Sequence, residues 1–159
     1  MTTKPRRRRG PLPVIGWREW VVLPDLGAPR LKVKVDTGAR TSALHAFRLD
    51  VIEEHDRPIA RFEIHPEQRR AAGAVEVRSP VVGWRKVRSS IGEVQDRPVI
   101  RTHLALGDIR WSVEVTLTNR DEMGFRMLLG RTAIRRRFLV DPGRSFLQSA
   151  TSTMKLGNP

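Results

Sequence analysis

The chain has 159 residues, with 30 Lys and Arg against 17 Asp and Glu, a formal net charge of +13 and no cysteine. That length supports one moderate core, and so a single domain with ragged ends, while the charge predicts attraction to polyanions, whether nucleic acid, ribosomes, an anionic membrane surface or an acidic peptide, among which charge alone does not choose. The lack of cysteine excludes disulfides, thiolate zinc sites and a cysteine nucleophile; no apolar run reaches the roughly 20 residues that span a bilayer, which leads us to expect a soluble, cytoplasmic protein with no membrane partner.

In chain order, residues 1–13 form a Pro-rich tail carrying Arg6, Arg7, Arg8 and Arg9, which reads as a disordered basic arm. Residues 14–149 hold the expected domain, in which β signals dominate. Short runs rich in β-branched residues at 17–22, 31–35, 42–49, 59–64, 74–77, 81–87, 98–106 and 110–117 are separated by turn formers. In the second run Leu31, Val33 and Val35 alternate with Lys32 and Lys34, and the run leads into Asp36-Thr37-Gly38-Ala39. Gly107-Asp108 predicts a tight hairpin turn between the last two strands, where Val113, Val115 and Leu117 mark one buried face. One short helix is expected over 132–138, with Ala133, Ile134 and Phe138 inward and Arg135, Arg136 and Arg137 mostly outward. Asp141-Pro142-Gly143 then turns the chain, and residues 150–159 read as a second disordered tail. The plan is all-β.

Asp36 is the candidate for chemistry. Hydrolysing a peptide bond with carboxylates needs one group to deprotonate water and another to donate a hydrogen bond to the carbonyl; two carboxyl groups about 3 Å apart divide those duties by sharing one proton. The sequence has one Asp-Thr-Gly and no Asp-Ser-Gly. A second carboxylate must therefore come from another copy, which predicts a homodimer with Asp36 and its mate at a two-fold axis. Gly38 permits a loop shape that a Cβ would obstruct, Thr37 offers a hydroxyl across to the partner loop, and Ala39 leaves room for substrate backbone. The same tripeptide also serves as an ordinary turn. Likewise Met127-Leu128-Leu129-Gly130-Arg131, two or three apolar residues and a Gly ahead of a helix, reads either as a brace for the Asp36 loop or as a strand ending at a helix cap.

The order of these parts resembles retroviral-type aspartic peptidases, which place Asp-Thr-Gly-Ala after an early strand, then a flap hairpin, a strand pair, Leu-Gly-Arg and a helix. More specifically, Arg18-Glu19-Trp20-Val21, Leu23-Pro24-Asp25-Leu26-Gly27, the run from Lys34 through Asp36 to Ala46, Thr116-Leu117-Thr118-Asn119-Arg120-Asp121 and Met127 to Arg131 are similar to the bacterial RimB-type family over roughly residues 14–149. That family is often labelled an ATP-dependent zinc protease but is grouped with retropepsin-like endopeptidases. Its members are associated with trimming glutamate tails that an ATP-grasp ligase adds to a small-subunit ribosomal protein. The resemblance implies a closed retropepsin-like β-barrel, an aspartic endopeptidase with Asp36, Thr37 and Gly38 as its catalytic loop, and a polyglutamylated or acidic peptide substrate, with the ribosome as a possible partner.

One departure carries information. Retroviral enzymes have an acidic residue after Asp-Thr-Gly-Ala, whereas here it is Arg40, expected close to Arg131. Two guanidiniums at one cleft favour an acidic ligand between them. Arg40, Arg131, His45 and Lys34 are thus candidates for binding carboxylates, Lys34 being equally readable as the solvent face of its strand. Ser89 to Glu93, centred on Gly92, has the composition of a flap tip or of an ordinary surface hairpin. No His-Glu-x-x-His and no Gly-x-x-x-x-Gly-Lys occurs, so neither a metal nor ATP is expected as cofactor. The reading from another class is a nonenzymatic basic barrel that grips RNA or ribosome through Trp17, Trp20, Trp84 and Trp111, although Trp17, Trp20 and Trp111 sit in apolar strand patterns that suit a core.

Overall fold

The computed structural model describes residues 10–66, 73–88, 91–119 and 124–149, the side chain of Pro29 apart. The Arg6 to Arg9 arm, Ser89 and Ser90 at the expected flap tip, and the 150–159 tail lie outside the described residues.

Alternation of apolar residues decides which face of each strand turns inward. The strands are β1 (Val14–Gly16), β2 (Arg18–Leu23), β3 (Ala28–Asp36), β4 (Ser42–His45), β5 (Phe47–Glu54), β6 (Arg57–Ile64), β7 (Val75–Pro80), β8 (Gly83–Arg88), β9 (Val94–Leu106), β10 (Ile109–Thr118), β11 (Met127–Gly130) and β12 (Leu139–Asp141). A 3-10 turn, Pro24–Leu26, joins β2 to β3, and one helical turn, α1 (Arg131–Ile134), follows β11. Six strands form a ring in the order β10-β4-β11-β3-β2-β9, with β9 pairing back to β10. Leu31, Val33, Leu44, Ile100, Leu104, Val115, Leu117, Met127 and Leu129 fill its interior at 0% exposure, each large side chain contributing about 2 kcal/mol of burial. β8 extends the sheet from β9, β5-β6-β7 make a separate three-stranded sheet, and β1 pairs in parallel with β12. The fold is all-β and barrel-like.

The ring is only partly closed, because β2 and β9 share a single residue pair, Val22 with Ala105. A side chain reinforces this seam: Asp25, on the 3-10 turn, accepts hydrogen bonds from the His103 backbone N–H (3.0 Å) and stands 2.7 Å from its ring Nδ1. A second carboxylate ties down the C-terminal segment. Glu19 occupies an inward position of β2 and is completely buried. Its two oxygens accept from the backbone N–H groups of Gly16, Leu147, Gln148 and Ser149 and from the Ser149 hydroxyl, at 2.8–3.1 Å. Gly16 lets the same segment approach, since a Cβ there would collide with the Arg144 carbonyl.

The expected hairpin turn is present: Leu106 pairs with Ile109, with Gly107 at φ +60°. The run 42–49 is not one strand, however. It breaks at Ala46, whose N–H bonds to the Thr118 carbonyl (2.8 Å), and Arg48 takes a positive φ, which sends β5 into the separate sheet. The helix is likewise shorter than 132–138: Arg135 leaves helical geometry (φ −57°, ψ 139°) and Arg136 turns left-handed (φ +66°). Arg131 and Arg135, like charges four residues apart, would face each other on a longer helix and disfavour it, and the turn still buries Ala133, Ile134 and Phe138.

Replacing Glu19 by Gln strips charge from five converging donors and turns an N–H₂ toward some of them, so a loss of about 3 kcal/mol or more is expected in denaturant unfolding. Asp25 has a carboxyl held below its ordinary pKa, first by the His103 backbone N–H and then by the His103 ring. A depressed carboxylate stabilises the fold above the unfolded pKa and loses that contribution as pH falls through the folded value. The melting temperature of Asp25→Asn should therefore lie below that of the parent at about pH 5, and the gap should close toward about pH 2.

Candidate active site

The Asp36 loop leaves the end of β3, where Val33 and Val35 point into the barrel and Lys34 and Asp36 outward. Asp36 is half-buried and its Oδ1 accepts from the backbone N–H groups of Gly38 (3.0 Å) and Ala39 (3.1 Å). Among the described residues Oδ2 receives no hydrogen bond. One oxygen is thus fixed by the loop and the other is open. Thr37 and Gly38 are exposed, and Ala39 is half-buried.

The loop is held from behind by the end of β11 and the start of α1. β11 runs parallel to β3, with Gly130 beside Asp36, and antiparallel to β4. The Arg131 N–H donates to the Ala39 carbonyl (2.7 Å) and the Thr132 N–H to the Arg40 carbonyl (3.1 Å). The Arg131 guanidinium donates to the Thr37 carbonyl (3.0 Å), and the Gly130 N–H donates to the buried Ser42 hydroxyl (3.0 Å). Gly130 lies so close to Thr41 that a Cβ would strike its backbone carbonyl. Sequence reasoning passed over Ser42; its signal was a small hydroxyl residue at the first position of β4, next to the loop.

The other candidates separate into two groups. Arg40, Arg131 and Lys34 are all exposed around the loop, and among the described residues none has a carboxylate within ion-pairing distance. His45 stands at the far end of β4, three residues beyond Ser42. It is 1% exposed, with its ring stacked on Phe47 at 4.1 Å, and Phe47 stacks in turn on His65. That packing does not offer the imidazole to a ligand at the loop. Gly92 (φ +84°) lies at the tip of the β8–β9 hairpin, whose last pair is Arg88 with Val94. Of the tryptophans, Trp111 is 8% exposed and Trp84 is 55% exposed, while Trp17 and Trp20 are half-buried. Among the described residues no three His, Asp or Glu side chains gather as a metal set would, and no helix is long and apolar enough to cross a membrane.

A family model described as retropepsin-like aspartic endopeptidase RimB matches residues 14–151. The chain belongs to this RimB-like family. It is similar to a probable alpha-L-glutamate ligase of Shewanella halifaxensis, 45% identical over 84% of this chain, and to that of Desulfotalea psychrophila, 40% identical over 91%. The chain spans only 29% and 31% of the length of those two relatives. A crystal structure of a Legionella pneumophila protein of unknown function superposes with a TM-score of 0.70 at 32% identity, covering 86% of this chain and 98% of that one. The brace behind the aspartate loop is sensitive to a single methyl group, because a Cβ on Gly130 would meet the Thr41 backbone. Gly130→Ala should cost about 3 kcal/mol in thermal or denaturant unfolding, whereas Gly124→Ala, whose Cβ meets nothing within 4 Å, should be near neutral.

Proposed function

We propose that the protein is a cytoplasmic aspartic endopeptidase, active as a homodimer, in which the two Asp36 side chains act on one scissile bond of an acidic, glutamate-rich tail such as one carried by a ribosomal protein. The observation that carries this reading is the Asp36 carboxylate, with Oδ1 held by two backbone N–H groups and Oδ2 open, on a loop anchored by β11 and α1.

In such a dimer one carboxylate is ionised and takes a proton from a water, while the other is protonated and hydrogen-bonds the substrate carbonyl. Water oxygen bonds to the carbonyl carbon as the protonated carboxyl gives its proton to the carbonyl oxygen, producing a tetrahedral diol. The proton taken from water then passes to the departing amine, one diol hydroxyl returns its proton to the other carboxylate, the C–N bond breaks to leave the product acid, and the pair again holds one shared proton. In this reading Thr37, exposed beside the carboxylate, would reach the matching loop of the partner, and Ala39 would lie along substrate backbone. The hairpin tip at Gly92 would close over the chain.

Charge supports the choice of substrate. Arg40, Arg131 and Lys34 put three cations around one carboxylate loop, and guanidinium groups suit bidentate recognition of carboxylates. His45 is not assigned a part in binding. The relatives' name gives independent support: proteins about three times as long, named for ligation of α-L-glutamate, carry a segment like this chain. A module joined to a glutamate ligase has reason to act on the same glutamates.

Asp36→Asn should abolish cleavage of an oligoglutamate-tailed peptide by about 10³-fold or more while leaving the melting temperature within a few degrees. Arg40→Ala should raise KM for that peptide more than for a neutral one. Retained turnover in Asp36→Asn, or activity lost to a chelator and restored by zinc, would overturn the assignment.

A further inference from the structure

Beyond Lys34 and Asp36, the outward face of β2 and β3 carries a set of residues that the reaction above does not use. β3 presents Arg30, Lys32 and Lys34 at every second position, ending at Asp36, and β2 places Trp20 beside Lys32 and Arg18 beside Lys34. Cations and rings interleave there. The Arg18 guanidinium lies 4.7 Å from the Trp17 ring and 5.0 Å from the Phe146 ring. Phe146 stacks on Trp20, which Arg30 covers at 4.5 Å. The Lys32 ammonium lies 6.0 Å from Trp20 and 5.4 Å from Phe125, whose edge meets Trp17. Among the described residues no carboxylate pairs with Arg18, Lys32 or Lys34.

We propose that this face is a docking track for the acidic tail, leading away from the Asp36 loop and recognising glutamates several residues from the bond that is cut. It serves the peptidase activity proposed above and rests on that reading. Two features favour an acidic peptide. First, alternate residues of a strand are about 6.8 Å apart, and so are alternate side chains of any extended chain; a run of glutamates repels itself into such a form. Every second carboxylate of the tail thereby meets Lys34, Lys32 and then Arg30. Second, single-stranded nucleic acid binds such surfaces by stacking bases on free ring faces, but here Arg18, Arg30 and Lys32 already lie over the rings. The aromatic groups hold the cations in place and leave charge as the means of recognition.

The test uses the full chain carrying Asp36→Asn and fluorescein-labelled triglutamate and octaglutamate, read by anisotropy. Lys32 stands about 13 Å along β3 from Asp36, beyond the reach of the short peptide. Lys32→Gln should weaken octaglutamate about fivefold, Lys32→Glu more, and triglutamate by less than about twofold. With Asp36 restored, the same substitutions should reduce the preference for long tails over short ones, through KM. Equal effects on both lengths, or none, would overturn the track. So would an oligouridylate that binds more tightly than octaglutamate and is weakened by the same substitutions, which would make the face a nucleic-acid surface. If octaglutamate binds as expected but the parent protein cleaves no tail, the hydrolytic reading fails and the track stands; if tails are cut with unchanged length preference in Lys32→Gln, the track alone fails.

Discussion

The close approach of Gly130 to the backbone of Thr41 governs the site. A reactive carboxylate on an exposed loop is useful only if the loop cannot wander, and loops lack the ladder of hydrogen bonds that fixes a strand. Here β11 enters between β3 and β4 and ends against the loop itself. Consecutive N–H groups of Gly130, Arg131 and Thr132 donate to the Ser42 hydroxyl and to the carbonyls of Ala39 and Arg40. Those donors come from the first turn of a helix, where N–H groups have no partner within the helix. One structural need, capping α1, and one functional need, fixing the loop, are met by the same three bonds. A side chain at residue 130 would force the two segments apart and undo both.

Buried carboxylates divide the labour in this chain. Glu19 is enclosed and satisfied by five donors, one from β1 and four from the chain after β12, so it acts as a fastener between those two segments. Asp36 has two backbone donors on one oxygen and none from the described residues on the other. The contrast is one of availability: a carboxylate whose oxygens are both engaged has no face left for a ligand, and one with a free oxygen beside solvent does.

What the residues reveal in advance follows the same physics. β3 and the Asp36 loop were legible because Leu31, Val33 and Val35 alternate strictly with lysines, and Gly130 was legible as a glycine between an apolar run and a helix. β1 and β12, three residues each, were missed because a pattern of period two needs more than three positions to register. The break at Ala46 was hidden because Leu44, His45 and Ala46 are buried in succession where β4 leaves the ring. His45, expected beside Arg40 and Arg131 as a carboxylate-binding residue, is instead buried and stacked on Phe47, a long-range packing that no local pattern announces. Glu19 did carry a signal, a charged residue at an inward position of β2, but its five partners come mostly from residues more than 120 positions away and no local pattern announces them.

Charge distribution connects these levels. A barrel this basic repels itself, and the excess must be tolerated or used. On the far sheet, Arg61 pairs with Asp50 and Arg78 with Glu54, both across strands, so charge there is locally balanced. Around the Asp36 loop and along β3 the described residues provide no such partners for Lys32, Lys34, Arg40 or Arg131. The same chain thus pairs cations on the β5-β6-β7 sheet and, through Arg101 with Glu114, on β9 and β10, but not beside the Asp36 loop. Acidic side chains are available to the sequence and pair with arginines elsewhere, so the set beside Asp36 is the part of the surface that the proposed acidic tail would complete.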